Sequence, residues 1–252
     1  MLEFVETAAA REANGVRMVV SGVVPSPWSE AAKGVFRLAK IPVLAVRAMP
    51  RDKELVEWTG VDNVPVVLHG KEPARTCWSQ IVGLAARLAP GAVLPADPAA
   101  RVDAMGLLEL IAGEDGLGWN GRLAMIDASL TSNGERGFAP QVGGYLAKRY
   151  GYTPASAEHV RARVMGQLAT LAARLGAHPY FGGDKPNAID VYTATFLTPL
   201  VELSEADCPR LIPPLRKAFA AAAEAFGALV PATLLAVRAR MFEHHLPFPI
   251  EI

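Results

Sequence analysis

The chain has 252 residues, with 25 Lys+Arg against 25 Asp+Glu and a hydrophobic share of 51%. At roughly 150 residues per domain that is one domain or two, with enough apolar residue to bury a core unaided. A formal net charge of zero excludes a chain built to coat nucleic acid or anionic membrane, since both require clustered cations. The two cysteines, Cys77 and Cys208, lie outside any CxxC pattern, which speaks against a disulfide framework and a structural metal site. The opening MLEFVETAAAREANG carries early acids and no apolar run, unlike a secretory signal. No stretch reaches the roughly 18 apolar residues of a membrane helix. The expectation is a soluble, cytoplasmic protein with no metal, no nucleic acid and no membrane partner.

Residues 1–15 read as an N-terminal extension. VRMVVSGVV (16–24) is short, β-branched and nearly continuous, as a strand buried on both faces is. Ser26 followed by Pro27 is a helix start, Pro occupying the first helical position where its missing N–H costs nothing. Val35, Leu38 and Ala39 recur at helical spacing, and Pro42 ends the run. VLAVR (43–47) reads as a second strand, so the order strand–helix–strand implies a right-handed parallel pair. A short helix in RDKELVEWTG is closed by Gly60. VVLHG (66–70) is a strand ending in a turn, and any strand near Ala74 is kept short by Pro73. Ile81, Leu84, Ala85 and Leu88 form the apolar face of a closing helix. Residues 16–89 are therefore a small α/β unit of order βαβ–α–ββα.

The Pro- and Ala-rich segment 90–100 reads as a linker, and residues 101–252 as an all-helical domain with an extended tail. Its helical stripes are Met105, Leu108, Ile111 and Ala112; Leu123, Ile126, Ser129 and Leu130; and Val160, Val164, Leu168, Leu171 and Leu175, the last opened by Thr153–Pro154. Two further helices follow in AIDVYTATFLTPLVEL and in residues 215–226. Gly116, Gly118 and Gly121 fit GxGxxG, but a helical pattern precedes them where a dinucleotide site requires a strand. A glycine-rich break between two helices explains them better. His244 and His245 lack a third ligand and read as part of a solvated tail.

Three features bear on chemistry. Ser26 and Ser29 lie where a strand's carboxyl end turns into a helix N-terminus, with unpaired N–H groups and a positive dipole end. A hydroxyl there can donate to a bound anion, including a thiolate; a charge-assisted bond is worth about 1.5–3 kcal/mol. That lowers a thiol's pKa by roughly one to two units, towards neutrality. Equally, Ser26 can be a plain helix cap and Ser29 a first-turn residue; spacing does not separate the two readings. Val64–Pro65 stands directly before a β-run, where a trans proline opening a strand is the common case. Asn187 and Asp190 have the spacing of a capping box at the start of a buried helix, a structural signal.

In combination and in order, these parts resemble the glutathione transferase superfamily over about residues 16–226. The resemblance implies a thioredoxin-like N-terminal domain, a helical second domain, glutathione as co-substrate and a homodimer. It implies that Ser26, with Ser29 as the rival, activates the glutathione sulfur, and that Val64 and a cis Pro65 hold the peptide backbone. Counting from Pro65, Thr76 and Cys77 fall where the family holds the γ-glutamyl end; counting back from the helix stripe, Cys77 and Trp78 do, and in either register the family's acid is missing. Trp28, Trp119, Arg122 and Met125 are candidates for a pocket that takes a small, largely apolar electrophile. A non-catalytic binding protein on the same fold is the alternative, and the missing acid favours it. A thiol–disulfide oxidoreductase is disfavoured, because the SPWS turn has no cysteine.

Overall fold

The computed structural model describes residues 2–50 and 52–252. Its sheet has the order β1-β3-β2-β4. The buried run 16–24 gives β2 (Val16–Ser21), every residue of it buried. Strand β2 lies parallel to β3 (Val43–Ala48) and antiparallel to β4 (Val66–His69). Helix α2 (Pro27–Leu38) crosses between the parallel pair, and α3 (Lys53–Thr59) leads to β4. Asp52 caps α3 by accepting from Leu55 N–H at 3.2 Å, and Gly60 ends it in the left-handed conformation. Helix α4 (Trp78–Leu88) closes the unit.

Residues 1–15 are more than an appended extension. Leu2–Phe4 forms β1, parallel to β3 at the sheet edge, and Thr7–Glu12 forms α1, which buries Ala10. The Arg47 guanidinium lies 3.4 Å from the Phe4 ring centroid, joining β1 to β3 by a cation–π contact. One face of the sheet packs Val19, Val46 and Val66 with Ala10 and Leu55. The other face joins the main core, shared with the helical domain. The second strand of the expected ββα hairpin is reduced to a single bridge between Val67 and Arg75, with reciprocal bonds of 2.9 Å. Pro73 cannot donate to a longer ladder. The turn is held instead by Glu72, whose carboxylate accepts from His69 Nδ1 at 2.8 Å, from Arg75, and from Arg87 Nη2 at 2.6 and 2.7 Å.

The helical domain begins at Pro98, within the expected linker, with Asp97 accepting from Ala100 N–H at 2.8 Å. Helices α5 (Pro98–Ala112) and α6 (Leu117–Thr131) are separated by the glycine-rich break. Then follow α7 (Pro140–Arg149), α8 (Pro154–Glu158), α9 (Val160–Leu175), α10 (Ala188–Phe196), α11 (Pro213–Phe226) and α12 (Ala232–His244). Thr153–Pro154 opens the separate α8, not α9. Leu130 points outward at 39% exposure, so the stripe of α6 ends at Ser129. Pro199 confines the end of the AIDVYTATFLTPLVEL helix to one 3₁₀ turn, Thr198–Leu200. Among the described residues no helix is long and apolar enough to cross a membrane.

Two devices fix the domains to each other. Asn187 Oδ1 accepts from Ile189 N–H at 2.7 Å, while the fully buried Asp190 accepts from Asn187 N–H at 2.8 Å and from Phe181 N–H at 2.9 Å. This box starts α10, and Ala188 N–H donates to Val93 O of the linker at 2.8 Å. The second device is the tail after α12. Arg37 Nε and Lys33 Nζ of α2 donate to His245 O and Glu251 O at 2.9 and 2.6 Å, and Arg47 Nε of β3 donates to Ile252 O at 2.9 Å. His244 is exposed, as the solvated-tail reading expects, but Leu246, Ile250 and Ile252 beyond it are buried, so the tail also contributes to the core.

Glu72 and Asp190 titrate in opposite senses. Hydrogen bonds from Arg87, His69 and Arg75 hold Glu72 down at about 2, from its ordinary 4.5, so its contribution to stability is present above pH 4.5 and is lost as pH falls towards 2. Burial pushes Asp190 up to about 6, against the pull of its backbone N–H donors. From an ordinary 3.8, its contribution is full below that pH and declines by about 3 kcal/mol as pH rises through 6. Urea unfolding from pH 2 to 7 should therefore show Glu72→Gln flattening the limb below 4.5, and Asp190→Asn flattening the limb between 4 and 6. Asp190→Ala should cost about 2–4 kcal/mol at pH 7, because it orphans two buried N–H donors.

Candidate functional site

The turn between β2 and α2 is built by its serines. Ser21 N–H donates to Ser29 Oγ at 3.2 Å, and Val24 N–H donates to Ser21 Oγ at 3.2 Å. Ser29 is completely buried in this role, which holds the strand end against the first turn of α2 and keeps its hydroxyl away from any ligand at the turn. Ser26 differs. It is the N-cap residue of α2, half-buried, and its side chain makes no capping bond. Pro27 supplies no N–H, and Glu30 N–H is already bonded to Ser26 O at 2.9 Å. Among the described residues the Ser26 hydroxyl thus has no hydrogen-bond partner, and it lies at the positive end of a helix. Further along α2, Glu30 and Lys33 pair at 2.8 Å, nearly excluded from solvent, and burial raises the Glu30 pKa.

The Val64–Pro65 bond is cis, with Val64 half-buried and Pro65 buried. Val64 N–H and C=O have no hydrogen-bond partner among the described residues. Asn63, just before, accepts from Arg149 Nη2 at 2.6 Å and so ties this loop to the end of α7. The third candidate segment lies at the start of α4. Cys77 is the N-cap of α4, exposed, with Sγ 3.2 Å from Ser79 Oγ, and Gln80 Oε1 accepts from Cys77 N–H at 3.4 Å. Thr76 precedes it, half-buried.

A cleft between the domains is lined by Pro27, Trp28, Gly118, Arg122, Met125 and Phe196, among others. It spans about 260 Å³ up to its open mouth, but its enclosed free space is only about 10 Å³. Trp28 fills it: its ring meets Phe196 edge-on at 4.9 Å and Tyr150 at 6.4 Å, and its Nε1 donates to Ala112 O at 3.1 Å. Of the four candidates, Trp28, Arg122 and Met125 line the cleft. Trp119 does not line it but packs on Tyr150 at 4.8 Å. Sequence reasoning missed Phe196, Tyr150 and Gly118. Their only trace was the glycine run 116–121, which sets a close approach: a Cβ on Gly118 would sit 2.3 Å from Phe196 Cε1 and 3.0 Å from Trp28 Cη2. Among the described residues no cluster of His, Cys, Asp or Glu could hold a metal ion.

No family model and no curated protein matches the chain. Solved structures do. A glutathione transferase from Pseudomonas putida, with one glutathione disulfide bound per subunit, is 13% identical, with 95% of each chain covered and a TM-score of 0.63. A glutathione transferase family member from Pseudomonas fluorescens with two glutathione bound is 15% identical, covering 93% of this chain and 94% of that one, at 0.60. A glutathione S-transferase from Methylobacterium radiotolerans in complex with glutathione sulfonate is 16% identical, covering 95% and 98%, at 0.58. At these identities the likeness is one of fold. The chain has the glutathione transferase fold, a thioredoxin-like domain followed by a helical one.

The close approach at Gly118 is directly testable. Gly118→Ala forces the buried Phe196 ring or Trp28 to shift, at a cost of about 1–3 kcal/mol. Chemical denaturation should register that loss, and a change in intrinsic tryptophan fluorescence should accompany it. An unchanged spectrum at full stability would contradict the packing described.

Proposed function

We propose that the chain is a glutathione transferase-like enzyme, which holds the glutathione thiol as thiolate at the start of α2 and directs it at a small electrophile in the interdomain cleft. The observation that carries this reading is the Ser26 hydroxyl, left without a capping bond at the N-terminus of a twelve-residue helix. Its O–H donates to the sulfur, the helix end adds a favourable field, and the proton leaves to solvent. The unpartnered N–H and C=O of Val64 before cis Pro65 pair with the peptide backbone of glutathione. Thr76 and Cys77 receive the γ-glutamyl carboxylate through the hydroxyl and the open N–H groups of the α4 N-terminus. Trp28, Arg122 and Met125 surround the electrophile, with Trp119 supporting Tyr150 at the rim. Ser29 is given no chemical part. We place the enzyme in the cytoplasm as a homodimer, and Val102, 72% exposed on α5, supplies apolar surface for a partner.

The same fold as a non-catalytic binding protein is favoured by a different observation. Cys77, not an acid, caps α4, so the α-amino group of glutathione lacks an anionic partner there. Calorimetry separates the readings. Binding at millimolar glutathione or tighter, with turnover of an aryl halide, supports the enzyme; no binding at that concentration overturns it. Thermal stabilisation by other ligands but not by glutathione would establish the binding protein. In the enzyme, Ser26→Ala should lower kcat/KM by about ten- to a hundredfold and move the pH–rate profile to higher pH, with glutathione affinity little changed. Sedimentation as a monomer would refute the dimer.

A further inference from the structure

Many arginines of the chain are paired, but Arg122, which lines the cleft, is not. Arg75 and Arg87 share Glu72, Arg163 pairs with Asp115, Arg174 with Asp103, and Arg216 donates to four carbonyls. Arg122 has no carboxylate within 4 Å and no hydrogen bond among the described residues. Its guanidinium rests against aromatic rings, 5.4 Å from the Phe138 centroid and 5.9 Å from that of Tyr150, and the residue lines the cleft. It is half-buried. A guanidinium offers five N–H donors in a fork that matches a carboxylate, and one left unpaired in a partly desolvated cleft is a site for an anion. Trp28 and Phe196 of the lining are flat and aromatic, and Tyr150 packs behind them on Trp28 at 6.4 Å.

We propose that the second substrate of this cleft is an aromatic electrophile bearing a carboxylate, its ring among Trp28, Phe196 and Tyr150 and its carboxylate on the Arg122 guanidinium. The word electrophile rests on the glutathione transferase reading; the anion site does not. Free space of about 10 Å³ admits no ring, so Tyr150 at the end of α7 has to give way. That end is fastened to the loop before Val64 by the exposed Arg149–Asn63 contact, a kind of bond that solvent competes for easily.

The test compares 4-chloro-3-nitrobenzoate with 4-chloro-3-nitrobenzamide, which share the ring and the leaving group and differ in charge. In the reaction the thiolate sulfur bonds to the ring carbon, and chloride leaves with the electron pair of the C–Cl bond. By calorimetry without glutathione, the wild type should bind the benzoate at least about tenfold more tightly than the amide. Arg122→Met should abolish that preference and Arg122→Lys should retain part of it. Both variants should keep a cooperative thermal transition and unchanged glutathione affinity. Equal binding of the two compounds by the wild type, or a preference that survives Arg122→Met, overturns the proposal. Preferential benzoate binding without turnover would refute the transferase reading and leave the anion site standing. Turnover of both at equal kcat/KM would do the reverse.

Discussion

Helix α2 has to lie against α10 more closely than side chains ordinarily allow. At Gly34 a Cβ would fall 2.5 Å from Val191 Cγ1 and 2.8 Å from Leu246 Cδ2, so the crossing is made of backbone on one side. Everything that joins the two domains is arranged around that contact. The Asn187–Asp190 box fixes where α10 begins, the linker is bonded to it through Val93, and Leu246 brings the tail into the same junction. Because the middle of α2 is fixed in this way, its N-terminus has a defined position relative to the helical domain. The open hydroxyl of Ser26 and the indole of Trp28 both depend on that position.

Several polar groups within this junction are answered, although Thr193 Oγ1 on α10 is buried with no hydrogen-bond partner among the described residues. Lys33 serves Glu30 and Glu251 O together, and Asp190 serves two backbone donors. Ser29 is spent on Ser21. Among the described residues the Ser26 hydroxyl, the Val64 main chain and the Arg122 guanidinium also lack hydrogen-bond partners, and the proposed function draws on all three.

Much of this was legible in the sequence, for physical reasons that differ by element. Strands β2 and β3 are β-branched runs buried on both faces. Helix α2 announces itself through Pro27, and α10 through a box whose two residues sit at their required spacing. What stayed hidden depended on partners remote in the chain. Strand β1 is three residues long and exists because β3 accepts it. Helix α7 has two adjacent glycines and little apolar periodicity. The tail looks polar at its start, yet Ile250 and Ile252 are buried by groups on α2 and β3 some two hundred positions earlier. Ser26 and Ser29 are nearly one helical turn apart in the same motif. Only the position of the Ser21 N–H distinguishes them, and no local pattern encodes that.

The interruption between α5 and α6 has a cost for anyone who wishes to harden this protein. A continuous helix would draw the Ala112 carbonyl into its own ladder; because the chain stops turning at Gly113, that oxygen is left over, and the Trp28 indole takes it. Replacing the glycines of residues 113–116 with strong helix formers follows the usual recipe for thermostability. Here it would compete for the acceptor that seats Trp28, and the rigidity gained in the helical domain would be taken from the wall of the cleft.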